Sequence, residues 1–278
     1  MSDKELMQKY EELKDYLRSL GSLAVAFSGG VDSTFLLYAA KEALGDNMMA
    51  VTATASFIPG RESSEAAQYC KEMGIRQEMA NIDSSSIEGF DDNPPDRCYI
   101  CKKAIFRLFK EMADKAGMKE VAEGSNLDDN GDYRPGLKAI SELSIKSPLR
   151  EIGFSKEEIR ILSKKLGIPT WSKPSYACLA SRFPYGEKIT GEKLDMVDKG
   201  EQLLLDMGFH QMRVRIHGKV ARIELAPDEF SRMLEVDVRD RIYNGFREIG
   251  FEYVSLDLKG YRTGSMNETL KLKDCKMP

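Results

Sequence analysis

The chain has no apolar stretch of the roughly 18 residues that a membrane-spanning helix needs, and it opens on the charged run Met1-Ser2-Asp3-Lys4-Glu5 rather than on a signal-like segment. A cytoplasmic protein with no membrane partner is expected. Histidine is scarce: only His210 and His217 occur, both late in the chain, so a site built mainly from imidazoles is excluded. The five cysteines are odd in number and unevenly spaced, which does not suggest a secreted disulfide framework. Thiols that are reduced, ligating or buried are expected instead. Neither charge dominates: 41 basic against 45 acidic side chains give a net charge of −4, which disfavours sequence-independent nucleic-acid binding and leaves small molecules as the expected partners. Internal repeats and low-complexity tracts are absent.

What is present is a globular chain of 278 residues, long enough for a large core and two domains. Leu6, Tyr10, Leu13, Leu17 and Leu20 recur at helical spacing, and the apolar run Leu23 to Phe27 reads as a strand. A helix from near Thr34, a strand at Met49 to Thr54, a helix through Glu65 to Met73 and a weaker strand at Ile75 to Ile82 follow. A short strand at Glu120 to Glu123 comes after a helix that Asp96 is expected to cap. This alternation predicts an α/β fold, a parallel sheet with helices on both faces, over residues 1–184. Residues 185–278 read as a smaller α+β domain, with a strand at Gln211 to His217, a return strand at Val220 to Leu225, a helix around Pro227 to Ile249 and a last strand at Tyr253 to Leu258.

The segment Phe27-Ser28-Gly29-Gly30-Val31-Asp32-Ser33 joins the first strand to the next helix. Two glycines allow a tight turn and close approach of a ligand, and the helix start offers unpaired N–H groups and a positive dipole end, which suits phosphate. No lysine follows Gly30, so this is not the G-x-x-x-x-G-K-[ST] loop. A carboxylate such as Asp32 beside a phosphate calls for a metal between them, and Mg²⁺ takes hard oxygen ligands. An ATP site with Mg²⁺ is expected at the C-terminal ends of the strands, near Thr54 as well. Gly124-Ser125-Asn126-Leu127-Asp128-Asp129 follows another strand and supplies Asp129 as a second Mg²⁺ candidate. On composition alone it equally suits an Asx-rich turn.

Arg213, Arg215 and His217 share one strand face, and Met212, Val214 and Ile216 the other. The basic face suits a phosphate or carboxylate, or else is solvated surface. Cys98 and Cys101 stand one turn apart at a helix start whose dipole favours thiolate, with Lys102 and Lys103 beside them. With Cys178 they admit three readings: a zinc site that lacks an obvious fourth ligand, a dithiol redox pair that leaves Cys178 idle, or a three-cysteine [4Fe–4S] cluster with one open iron.

Ser-Gly-Gly-Val-Asp-Ser after the first strand resembles the PP-loop of the ATP pyrophosphatases, and Gly124 to Asp129 resembles their second nucleotide motif. EGSNLDDNGDYRPGLKA, SRFPYG, RVRIHGKVARIEL and LDLKGYRTGSMNETL, in this order from near residue 20 to near residue 270, resemble the LarE-type sulfur transferases. The resemblance implies ATP held by Ala26, Phe27, Ser28, Gly29, Gly30, Asp32, Ser33, Thr54 and Gly124, with Mg²⁺ on Asp32 and Asp129. It implies adenylation of a carboxylate of pyridinium-3,5-biscarboxylic acid mononucleotide, then displacement of AMP by sulfur to leave a thiocarboxylate. That product leads toward the nickel-pincer nucleotide cofactor of lactate racemase. Arg213 and Arg215 match positions that hold the substrate phosphate; Glu201, Arg182 and Arg134 fall in matching motifs and are expected near the substrate. The family's sacrificial cysteine position is Ala177 here, one place before Cys178. That departure argues against self-consuming sulfur donation and matches the iron–sulfur variant, with Cys98, Cys101 and Cys178 as ligands and exogenous sulfide as donor. A homo-oligomer is implied as well. A PP-loop tRNA thiolase and a zinc-stabilised nucleotide-binding protein are the alternatives.

Overall fold

The computed structural model describes residues 2–131, 135–174, 177–262 and 264–267. The chain groups into two compact units, Met1–Glu88 with Asp96–Tyr176, and Gly89–Pro95 with Ala177–Pro278. The segment Ala177–Pro184, which the sequence assigns to the first domain, groups with the second, where Arg182 pairs with Glu201 and the Ser181 carbonyl accepts from Arg215.

In the first unit α1 (Asp3–Leu20) leads into β1 (Leu23–Ala26), α2 (Val31–Leu44), β2 (Met48–Thr54), α3 (Gly60–Glu72), β3 (Gln77–Asn81), α4 (Arg97–Lys115) and β4 (Glu120–Ala122). The strands form a parallel sheet in the order β3-β2-β1-β4, the α/β architecture expected. Three helices follow: α5 (Gly136–Glu142), α6 (Pro148–Ile152) and α7 (Lys156–Lys165), the last opened by the Ser155–Glu158 capping box. Asp96 stands at the N-cap of α4, but its near-helical backbone (φ −89°, ψ 13°) keeps the carboxylate from capping, contrary to expectation.

Successive strand residues serve opposite faces. Leu23 and Val25 of β1 and Met48 and Ala50 of β2 join the core against α1, α2, α3 and α7. Ala24, Met49 and Val51 join a second core with Phe106, Phe109 and Ile140 of α4 and α5. Burial on both faces is why these strands read as continuous apolar runs. Cys70 of α3 is buried in the first core, which pushes its thiol up to about 12; it is a small apolar residue, as expected.

The chain runs out along β1 to the middle of the sheet, fills one side with β2 and β3, and then crosses to β4 on the other side. The C-terminal ends of β1 and β4 therefore flank the point where strand order reverses, the position at which open α/β sheets bind ligands.

The second unit contains α8 (Gly191–Asp206), β5 (Met212–His217), β6 (Val220–Leu225), α9 (Phe230–Met233), α10 (Val236–Ile249) and β7 (Tyr253–Leu256). β5 pairs antiparallel with β6, and β6 pairs parallel with β7, giving a small mixed sheet. The single helix expected over Pro227 to Ile249 is broken at Glu235, whose backbone is extended. Among the described residues no helix is long and apolar enough to cross a membrane.

Candidate active site

The loop after β1 is fixed by its own hydroxyls. Ser28 Oγ and Ser33 Oγ lie 3.1 Å apart, Ser33 Oγ donates to the Gly30 carbonyl at 3.2 Å, and Thr34 Oγ1 donates to the same carbonyl at 2.7 Å. Gly29 has φ +70°, the left-handed region, which lets the chain reverse there. Gly30 is the N-cap of α2 and brings no side-chain acceptor, so the first-turn N–H groups are left to a ligand. Phe27 turns its ring into the core against Tyr69, 5.8 Å between centroids, and its N–H bonds to the Val51 carbonyl. Phe27 thus offers a ligand only its carbonyl. Ala26 ends β1, and half-buried Thr54 ends the neighbouring β2. Lys173 straps the loop from outside, donating to the Gly29 carbonyl at 3.0 Å while pairing with Glu65 at 2.6 Å.

β4 delivers the second segment against this helix start. A Cβ on Gly124 would stand 3.0 Å from the Ser33 nitrogen and 3.1 Å from the Asp32 carbonyl carbon, so only glycine permits the approach. Behind it, Asn126 and Asp129 close a turn in which the Asn126 N–H donates to Asp129 Oδ2 at 3.0 Å. Asp32 pairs through Oδ2 with Lys156 Nζ at 2.5 Å, and its Oδ1 is buried and accepts no hydrogen bond. Burial raises the Asp32 carboxyl above its ordinary value; Lys156 opposes that shift, the charge of Asp129 adds to it, and the Asn126 side chain favours the ionised form. An unpartnered carboxylate oxygen with a second carboxylate nearby fits Mg²⁺, which commonly takes one or two carboxylates and completes its shell with phosphate oxygens and water.

Lys156 escaped the sequence. It opens α7 directly after the cap Ser155 and looks there like a solvated first-turn residue, yet its partner lies 124 positions away. Glu123, also unnoticed, is buried at the end of β4 and accepts from Ser125 Oγ at 2.7 Å and Ser147 Oγ at 2.6 Å.

In the second unit Arg213 and Arg215 do share a face of β5, while Met212, Val214 and Ile216 fill the core. The arginine face is covered rather than solvated: Arg213 is 3% and Arg215 5% exposed, and only His217 is open to solvent. Arg215 donates to Ser181 O at 3.0 Å, to Glu224 Oε2 at 2.9 Å and to Ser265 Oγ at 3.0 Å, whereas its Nε is buried without an acceptor. Arg213 donates to the Met212 carbonyl at 2.6 Å and lies 5.0 Å over the Tyr261 ring. Burial and the neighbouring Arg182 charge push Arg213 below its ordinary range, against the pull of Glu201. Arg182 and Glu201 are both fully buried and paired bidentately. Glu224 faces Arg213 across the β5–β6 ladder. Among the described residues, Arg182, Arg213 and Arg215 lie buried beside Glu201 and Glu224, and Arg222 also pairs with Glu224, a basic donor set that suits an anion. Glu224 was legible only as a charged residue on the polar alternation of β6. Arg134 lies outside the described residues.

Cys98 and Cys101 start α4, Cys98 exposed and Cys101 buried, and Cys178 is exposed on the turn before Leu179. None of the three is in a disulfide. Cys98 and Cys101 belong to the first unit and Cys178 to the second. Thiolates are soft donors of the kind that hold an iron–sulfur cluster. Among the described residues no three His, Cys, Asp or Glu side chains form a group able to hold a metal ion.

The family model for NAD synthase matches residues 3–110. An uncharacterised protein of Synechocystis sp. is 38% identical across 95% of this chain and 99% of its own length. Pyridinium-3,5-bisthiocarboxylic acid mononucleotide synthase of Lactiplantibacillus plantarum is 37% identical across 95% of this chain and 96% of that enzyme. More distantly, a subunit of the glutamine-hydrolysing GMP synthase of Thermoplasma volcanium is 28% identical across 66% of this chain and 64% of its own. A parallel sheet with its phosphate-type loop at the switch point, and similarity to the Lactiplantibacillus synthase that runs through both units, make this chain a member of the LarE-type ATP-dependent sulfur transferases of the PP-loop ATP pyrophosphatase superfamily.

Proposed function

We propose that the protein adenylates a carboxylate of pyridinium-3,5-biscarboxylic acid mononucleotide and replaces one carboxylate oxygen by sulfur, giving the thiocarboxylate needed for the nickel-pincer nucleotide. The observation that carries this proposal is the similarity to the Lactiplantibacillus synthase over nearly the whole chain, and the buried arginines of β5 suit a substrate phosphate.

In the first step a carboxylate oxygen attacks the α-phosphorus of ATP, the bond to the bridging oxygen breaks, and pyrophosphate leaves with the electron pair. The N–H groups at the start of α2, Ser28, Ser33 and Lys156 surround the leaving group, and the acyl group becomes electrophilic. Mg²⁺ held by Asp32 Oδ1 and Asp129 would supply Lewis-acid stabilisation of the phosphate charge. In the second step sulfide attacks the acyl carbon, AMP departs, and one proton is released; no electron is gained or lost. Arg213 and Arg215 hold the substrate phosphate, with the free Nε of Arg215 as one donor.

Sulfur delivery is assigned to Cys98, Cys101 and Cys178, which would hold a [4Fe–4S] cluster and so would supply an open iron site for exogenous sulfide. Support comes from the exposure of Cys98 and Cys178 and from alanine at position 177. The protein is taken to be a cytoplasmic homo-oligomer that needs no nucleic acid or membrane.

The test is a reaction of purified protein with ATP, Mg²⁺, sulfide and the pyridinium biscarboxylate, read as pyrophosphate release and as sulfur-for-oxygen exchange by mass spectrometry. Pyrophosphate and thiocarboxylate formed together support the assignment. Release of neither, with activity appearing only when tRNA is supplied, would refute it.

A further inference from the structure

Arg182 is fully buried, and both edges of its guanidinium are committed. Nε and Nη2 donate to the two oxygens of Glu201 at 2.8 and 2.9 Å. Nη1 faces the opposite way and donates to the Ala177 carbonyl at 2.6 Å, the Cys178 carbonyl at 3.2 Å and the Ser181 hydroxyl at 2.9 Å. A guanidinium held on both sides has no fork left for a phosphate. Glu201 is in turn held by the Val214 N–H of β5 at 3.1 Å, and Arg215 of that strand donates to the Ser181 carbonyl. Beyond the turn, Asn93 Nδ2 donates to the Pro184 carbonyl at 2.7 Å and the Gly186 N–H to the Asn93 carbonyl at 2.9 Å. A segment with one short helical turn, Leu179–Arg182, is thereby bolted to β5, while the side chain of Cys178 stays exposed.

We infer that Arg182 and Glu201 are positioning residues for Cys178 and not substrate ligands. They hold the Ala177–Ser181 backbone in fixed relation to the strand that carries Arg213 and Arg215, so the thiol and the anion-holding arginines share one rigid frame. This rests on the proposal that Cys178 handles sulfur. A ligand set must be held to within a fraction of an ångström, and misplacement of about 1 Å can cost on the order of 10²-fold in rate.

Arg182→Lys tests the inference, because it keeps a cation beside Glu201 and loses the planar fork. Thiocarboxylate formation should fall in kcat by about 10²-fold, with KM for the pyridinium mononucleotide changed by less than about 3-fold. A raised KM with kcat retained would make Arg182 a substrate ligand and overturn the inference. The second readout is amide hydrogen exchange. In the wild-type chain the Ser181 amide, which donates to the Cys178 carbonyl at 2.9 Å, should exchange as slowly as amides of β5. Free exchange there would overturn the inference even if Arg182→Lys fails to fold. Cys178→Ala separates the two layers: if it keeps full turnover, the sulfur assignment falls and the positioning role with it. If it is inactive and Arg182→Lys is fully active, only the positioning role falls.

Discussion

Lys156 Nζ lies 2.5 Å from Asp32 Oδ2, an ion pair that joins the first residue of α7 to the phosphate-type loop after β1. The same carboxylate keeps its other oxygen buried and unpartnered. One side chain therefore meets a resident cation on one oxygen and leaves the other without a hydrogen bond. Because Lys156 restrains the rise in the Asp32 pKa, removing it should raise that pKa further. Lys156→Met is expected to shift the acid limb of the pH–rate profile to higher pH and to lower pyrophosphate release by about 10²- to 10³-fold. An unshifted limb would show that Asp32 ionisation does not control the step.

The raised Asp32 pKa also makes a stability prediction. A carboxyl whose folded pKa exceeds its unfolded value stabilises the fold most below the unfolded pKa, and that contribution is lost as pH rises through the folded value. At neutral pH the ionised group is therefore a net liability to folding. Asp32→Asn should raise the Tm at neutral pH, lose the advantage in acid, and abolish adenylation. A lower Tm at neutral pH would mean that the Lys156 pair outweighs burial.

Gly124→Ala addresses the approach of β4 to α2. The new methyl would press on backbone atoms of Ser33 and Asp32, which cannot rotate away. Overpacking of this kind costs about 1–3 kcal/mol. Because the strain falls on the phosphate-binding helix start, ATP affinity, measured by calorimetry, should fall along with the Tm. Unchanged affinity would show that the β4 loop is not part of the nucleotide site.

The legible parts of this molecule are those whose cause is local. The apolar run of β1, the paired glycines and the start of α2 are contiguous, so strand, loop and helix followed from neighbouring residues. Alternation placed Arg213 and Arg215 on one face, but a polar face reads as solvated, and its burial depends on Glu224 from β6 and Ser181 from a distant turn. The roles of Lys156 and Arg182 depend on partners that folding alone brings near. Motif position alone points Arg182 at a substrate, whereas its bonds run to Glu201, the Ser181 hydroxyl and backbone carbonyls.

Arg213→Ala and Glu201→Ala should separate binding from framework. Deleting a charged hydrogen-bonding group at a phosphate site costs about 1.5–3 kcal/mol, so Arg213→Ala should raise KM roughly 10- to 150-fold, at a smaller cost in stability than Glu201→Ala. Glu201→Ala instead leaves Arg182 buried and uncompensated, which costs about 3–5 kcal/mol of stability. The Glu201 carboxyl is held below its ordinary value by Arg182, Arg213 and the Val214 N–H acting against burial. Its stabilising contribution is therefore present above the unfolded pKa and lost as pH falls through the folded value, so wild type and Glu201→Ala should converge in stability in acid. Parallel pH–stability curves would contradict this assignment.

Metal content decides how sulfur arrives. Protein purified without oxygen should carry about four irons and four acid-labile sulfides per chain, and a variant with Cys98, Cys101 and Cys178 all changed to Ala should carry neither. The expectation follows from donor chemistry: three thiolates would leave a [4Fe–4S] cluster one open iron, whereas a structural zinc site needs a fourth ligand that the two histidines of the late segment do not obviously supply. Stoichiometric zinc, with iron absent after attempted reconstitution, would eliminate the cluster and leave adenylation intact. Cys178 would then be examined for loss of its own sulfur, read as conversion of that residue to dehydroalanine by mass spectrometry after turnover. Repeated turnover on added sulfide with Cys178 chemically unchanged is the outcome that the cluster requires and that self-donation forbids.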